Sequence, residues 1–276
     1  SPTVQATMIF IGGVTAVGGA LIALAQIDIK RAFSYLVSAY MGVVFIAVAT
    51  QQIEAALLIV LTHAMSIALM MMSAGGIVWN SITQDLTQMG GLWSRRPISG
   101  ISMIVGAFGL IALPPLGTFW GMLELLSGVQ ESPYPWLVGV LLLVNALTAF
   151  SLTRTFSLIF GGKPQQMTER SPEVHWPMIL PMTIQVGFVL HVPIILQSLS
   201  LLPSWAEMNK SMALLLVWSS VFGCSLGAIV YLSNYIKKPI RFPLRPLQDL
   251  VAYDFYTPKL FHNRIVASLD WISRIT

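Results

Sequence analysis

Apolar residues run along this chain for about twenty positions at a time, and polar residues gather in short stretches between the runs. A helix of that length rises about 30 Å at 1.5 Å per residue, the thickness of a hydrocarbon core. The pattern predicts seven spans, at about 6–28, 33–50, 54–79, 98–113, 136–160, 176–200 and 211–236. A further half-length helix, about 117–128, comes after Pro114 and Pro115 and does not reach across alone. Only helices suit these lengths, because a backbone facing lipid must satisfy its own hydrogen bonds.

Threading the spans back and forth sorts the charges. Lys30, Arg31, Arg95, Arg96, Lys163, Arg170, Lys237, Lys238 and Arg241 fall on one side, and Glu54, Glu131, Glu207 and Lys210 on the other, provided that 117–128 does not itself cross. Excess Lys and Arg marks the cytoplasmic face, so the basic loops are expected to face the cytoplasm. This predicts a transmembrane region, 1–236, followed by a cytoplasmic-side segment, 237–276. The latter mixes Trp, Phe and Leu with Lys and Arg from 247 onward and reads as an interfacial amphipathic helix.

Composition agrees with an all-α integral membrane protein. Of 276 residues, 55% are hydrophobic and 9% charged, against about 25% charged in a soluble domain. The net charge of +4 comes from inter-helical clusters, which excludes nucleic acid as the partner and points to lipids. Cys224 is the single cysteine and reads as packing. The opening "SPTVQATMIF" has neither an initiator Met nor a basic leader, which leads us to expect an internal piece of a longer chain.

An ionisable group inside a span is expensive and therefore a functional candidate. Five qualify: Lys30, His63, Glu124, Arg154 and His191. His63 lies in "LTHAMSIALMMMSAGG", beside Thr62 and with Ser66 at i+3 on its own face. An imidazole there suits proton relay; a neutral ring hydrogen-bonded to a neighbouring helix is the competing reading. Consecutive Met70, Met71 and Met72 point in different directions and read as packing. Lys30, two residues after Asp28 and next to Arg31, is either a topogenic charge at a helix end or part of a polar path. In "ALPPLGTFWGMLELL" Pro114 and Pro115 break the helix and Gly117 loosens the turn after them. Broken helices at membrane depth line polar cavities or ion sites. Glu124 lies beyond the break, either in such a cavity or near the non-cytoplasmic interface. No glycine fingerprint for a nucleotide, no cysteine cluster and no metal-ligand spacing is present, so no redox centre, catalytic residue or metal site is assigned to this chain.

Four blocks in order, "ALAQIDIKRAFSYLVSAYMGVVF", "THAMSIALMMMSAGG", "MGGLWSRRP" and "ALPPLGTFW", resemble the antiporter-like membrane subunits of complex I and of multisubunit cation/proton antiporters. The nearest likeness is to the distal antiporter-like subunit, the chain 5 type. Beyond 130 the resemblance rests on span order and on the amphipathic tail. It implies a fold of two inverted repeats, each with a broken helix, of which this chain holds the second and the start of a lateral helix. It further implies a place in the membrane arm of an NAD(P)H- or ferredoxin-quinone oxidoreductase, beside a neighbouring antiporter-like subunit. Quinone and iron–sulfur clusters are then expected in other subunits. By motif match His63 and Lys30 join a mid-membrane axis of proton-carrying residues.

Two departures qualify the resemblance. The family reads a lysine four residues after the histidine, where this chain has Ile67, and a Lys-Asp-Glu run after the broken helix, where it has Met122, Leu123 and Glu124. Neither Ile nor Met holds a proton. The losses resemble a cyanobacterial variant, placed in the thylakoid membrane, that supports carbon dioxide uptake. A cation/proton antiporter subunit and a scaffold subunit that has lost pumping are the alternatives.

Overall fold

In the computed structural model, residues 2–232 are described, together with 264, 266, 268, 272 and 273. The chain divides into two compact units, 1–238 and 239–276. Among its described residues the first contains eight α-helices: α1 Pro2–Ala25, α2 Ile29–Ala49, α3 Ile53–Ser81, α4 Pro97–Leu110, α5 Gly117–Gln130, α6 Leu137–Phe160, α7 Trp176–Ser198 and α8 Lys210–Tyr231. In the second, the described positions have helical backbone; the rest of the expected amphipathic helix lies outside the described residues.

Six of the eight helices are long and apolar enough to cross a membrane. The seventh expected span is different. α4 has 14 residues, about 21 Å of rise, and does not cross on its own. Its start lies beside the C-terminal half of α3, where the Ser73 hydroxyl donates to the Ser99 carbonyl at 2.8 Å. After the break α5 continues in the same direction: Gly117 abuts Thr62, Gly121 abuts Ile59 and Gly128 abuts Gln52. α4 and α5 are therefore two halves of one crossing, antiparallel to α3. The expected span at 98–113 is corrected accordingly, and the alternation of sides survives because the pair makes a single pass.

The helix ends follow the charges. Ile29 N–H donates to the Gln84 carbonyl and Leu86 N–H to the Ile27 carbonyl, a small bridge that ties the α1–α2 turn to the loop after α3. Gly91 N–H donates to the Gly161 carbonyl at 2.8 Å, and the Thr168 hydroxyl to the Gly90 carbonyl at 2.7 Å. These bonds gather Lys30, Arg31, Arg95, Lys163 and Arg170 at one end of the bundle.

Packing differs between helix pairs. α1 and α2 meet through small residues: a Cβ on Gly42 would stand 2.5 Å from the Ala16 nitrogen and 2.6 Å from the Gly12 oxygen, so only glycine allows the backbones so close. One apolar core joins α1, α2, α3, α5, α6 and α8, and a second joins α2, α3, α4 and α6 near the basic end. Large apolar side chains such as Phe10, Leu57, Trp218 and Phe222 point outward, as befits a surface in lipid. α7 carries Pro181 and Pro193 within its length and buries little.

Candidate functional site

Breaking α4–α5 frees backbone groups in the middle of an apolar bundle, and each must find a partner. Side chains from neighbouring helices and from α5 itself supply them. The Tyr40 hydroxyl of α2 donates to the Leu110 carbonyl at 2.6 Å. Thr118 at the start of α5 donates to the Gly109 carbonyl at 2.5 Å. Asn145 of α6 accepts from Ala112 N–H at 3.0 Å and donates to the Ser219 and Ser220 hydroxyls of α8, each at 2.7 Å. Ser220 in turn donates to the Ala112 carbonyl at 3.2 Å. Trp120 Nε1 donates to the Pro115 carbonyl at 3.2 Å; the Pro114–Pro115 peptide bond is cis.

His63 is set against this centre. Its ring stacks on Tyr40 with centroids 4.5 Å apart and planes at 25°, and it is 2% exposed. Neither ring nitrogen has a hydrogen-bond partner among the described residues. The ring nitrogens of a buried histidine are ordinarily bonded to neighbours. Thr62, beside it, donates to the Leu58 carbonyl at 2.8 Å and has its hydroxyl 3.3 Å from that of Thr118. Gly117 permits this approach, since a Cβ there would collide with the Thr62 methyl group. Ser66, Thr62 and Gly117 line a cleft closed by Val189 and Pro193 of α7, with room for about one water.

The other expected residues stand apart. Lys30 is exposed in the first turn of α2, ten residues before Tyr40 and so about 15 Å along the helix from the His63 level. Asp28 caps α2, accepting from Arg31 N–H at 2.9 Å. Glu124 is half-buried six residues past Thr118, between Gly121, which abuts Ile59, and Gly128, which abuts Gln52, so it lies toward the acidic end near the start of α3. His191 is exposed on α7, with Nδ1 2.8 Å from the Gly187 carbonyl of its own helix. Arg154 is buried; its Nη1 donates to the Gln26 carbonyl at 2.8 Å and its guanidinium carbon lies 5.7 Å from the centre of the Tyr231 ring. Ile67 packs on the second core and Met122 is fully buried in the first, so both positions are apolar in their surroundings as well as in kind. Among the described residues no three His, Cys, Asp or Glu side chains gather as metal ligands.

Asn145, Tyr40 and Thr118 escaped sequence reasoning. Asn145 did leave a signal, as a lone amide in the apolar run of α6. Another element concealed in sequence is the clamp on α4. Fully buried Arg96 donates from Nη1 to the Gly76 carbonyl at 3.0 Å and from Nη2 to the Ser171 hydroxyl at 2.8 Å. Burial pushes its pKa down, and Glu173 opposes that shift. Glu173 accepts from Ile98 N–H at 2.9 Å and Ser99 N–H at 3.2 Å, satisfying the open end of the half-helix.

The fold and the site define a helical membrane protein with a discontinuous helix whose freed backbone is held by polar side chains. Residues 1–149 match the family model described as NADH:quinone oxidoreductase/Mrp antiporter, transmembrane, and the chain belongs to that family. It is 39% identical over 272 residues to NAD(P)H-quinone oxidoreductase subunit 5, organellar chromatophore 2, of Paulinella chromatophora, covering 98% of this chain and 44% of that protein. The chloroplastic subunit 5 of Physcomitrium patens is 34% identical over 171 residues, 58% of this chain and 24% of its own length. That of Zygnema circumcarinatum is 32% identical over 170 residues, 58% and 24% respectively. The chain thus spans less than half the length of these curated relatives.

Proposed function

We propose that this chain is part of a membrane-arm subunit of a complex I-like NAD(P)H- or ferredoxin-quinone oxidoreductase, and that His63 takes part in proton translocation coupled to electron transfer. One observation carries the reading: a buried imidazole with both nitrogens unpartnered, stacked on the tyrosine that holds the broken helix. A ring so placed has a free lone pair and a free N–H, the two things a proton relay needs. Its contact with Tyr40 links any change in its charge to the carbonyl of Leu110. Electron transfer, quinone and iron–sulfur clusters belong to other subunits, and a neighbouring antiporter-like subunit and lipids cover the outer helices. The membrane is of the thylakoid type, with the basic loops toward the cytoplasm.

A finer reading within this function is a specialisation for carbon dioxide uptake. Ile67 and Met122 stand in apolar cores where the resemblance expects lysines, so this half moves protons without the usual amines. Such a path depends on His63, Thr62, Ser66 and Glu124 with water between them.

Replacing His63 by Ala in the full-length subunit, within the assembled complex, tests the main reading. Proton movement per electron is expected to fall while assembly and uncoupled electron transfer persist. An unchanged proton yield would remove His63 from the path, and loss of assembly would make it a packing residue. For the finer reading, Ile67→Lys with Met122→Lys should lower carbon dioxide uptake and raise proton movement; no change in either would make this half a scaffold.

A further inference from the structure

α6 carries two further unpartnered hydroxyls, in line with a third that is bonded within the helix, on a face the centre at the break does not use. Thr148, Ser151 and Thr155 follow one another at i, i+3 and i+7, and at 100° per residue they fall within an arc of about 60°. All three are buried, with 0%, 1% and 1% exposure. α8 packs on the opposite face, Gly223 against Ala146 and Gly227 against Thr153, so the stripe looks into the bundle.

The hydroxyls along this helix behave in two ways. Thr148 donates to the Val144 carbonyl at 2.8 Å, Thr153 to the Ala149 carbonyl at 2.8 Å and Ser157 to the Thr153 carbonyl at 2.6 Å. This is the usual resolution for Ser and Thr in a helix. Ser151 and Thr155 depart from it, and their buried oxygens have no partner among the described residues. A buried hydroxyl left alone is costly, and water between two hydroxyls in line on one face would satisfy both. The stripe begins one turn from Asn145, which grips the break, and ends beside Arg154, which is bonded to the Gln26 carbonyl just past α1. It therefore runs from the polar centre to the end of the bundle that carries Lys30.

We propose that Ser151 and Thr155 hold a file of water along α6, continuous with Thr148, that carries protons between the break and the basic end. The proposal rests on the proton-translocating reading above and assigns the leg of the path on that side. Each hydroxyl donates one hydrogen bond and accepts others, so a proton taken up at one end is matched by a proton released at the other, and no group changes its net protonation.

The experiment uses the full-length subunit in its assembled complex, in sealed membrane vesicles, with Ser151→Ala/Thr155→Val, each single variant, and Thr155→Ser. His63→Ala is measured in parallel. The double variant is expected to lose severalfold in protons moved per electron at unchanged uncoupled electron transfer, to show a changed solvent deuterium isotope effect on proton movement, and Thr155→Ser to retain the wild-type ratio. A wild-type ratio in the double variant, with His63→Ala impaired, overturns the water file and leaves the wider reading standing. Wild-type ratios in both overturn both. Should the double variant fail to assemble, the two single variants decide: impaired ratios in both support the file, and a wild-type ratio in either overturns it.

Discussion

The α1–α2 pair and the α4–α5 crossing occupy the same bundle and are held in opposite ways. Where α1 meets α2 at Gly12, Ala16 and Gly42, the two backbones touch and no polar side chain intervenes. Around α4–α5 the contacts that matter are hydrogen bonds from Tyr40, Thr118, Asn145 and Ser220 to freed backbone groups. An intact helix satisfies its own backbone and needs only close packing. A broken one must import donors and acceptors, and these are the groups that bring exchangeable protons to mid-membrane. The helix break is thus both the structural problem and the source of the chemistry.

If that contrast is right, small residues should be decisive in one region and polar ones in the other. Gly42→Leu is expected to have the largest effect, a loss of about 3 kcal/mol or more, because its Cβ would stand 2.5 Å from backbone; failure to accumulate the assembled subunit would report it. Asn145→Leu comes next, since it strands Ala112 N–H in an apolar core, at about 2 kcal/mol; thermal stability of the purified complex checks it. Tyr40→Phe keeps the ring under His63 and loses only the bond to Leu110, about 1 kcal/mol. Proton yield should drop with it more than stability does, if the hydroxyl links His63 to the break. Gly13→Ala stands at the far end of the scale: a Cβ there meets nothing within 4 Å, and the change should raise stability by about 0.5 kcal/mol. A large loss in that variant would mean that the open face of α1 is covered by another chain in the assembly.

Much of the fold was legible in advance. Each expected apolar run corresponds to a helix, and the half-length segment after Pro114 and Pro115 is the separate α5. The reading of 98–113 as a span erred because run length cannot tell a short helix that crosses from one that stops halfway; the distinction lies in where α5 resumes beside α3. At the site, His63, Thr62 and Ser66 were marked by polarity within an apolar run. Asn145 and Tyr40 were passed over, one because a lone amide in an apolar run marks polarity without naming what it bonds and the other because a tyrosine is ordinary in a membrane helix. Only their partners, 33 and 70 residues away, give them meaning.

What the sequence determined alone is what depends on the medium: helices rather than strands, their number, the ends at which charge collects, and the break that two successive prolines impose. These features come from local length and backbone chemistry in a solvent that tolerates no open hydrogen bond. Tertiary structure decided which side chains close the break, that His63 rests on Tyr40 with both nitrogens unpartnered, and that Lys30 and Glu124 lie toward opposite ends of the bundle. Those facts depend on the register between helices, which is set by contacts such as Gly42 on Ala16 and Gly117 on Thr62. No periodicity within a single helix encodes such a register, because it is a property of two surfaces meeting.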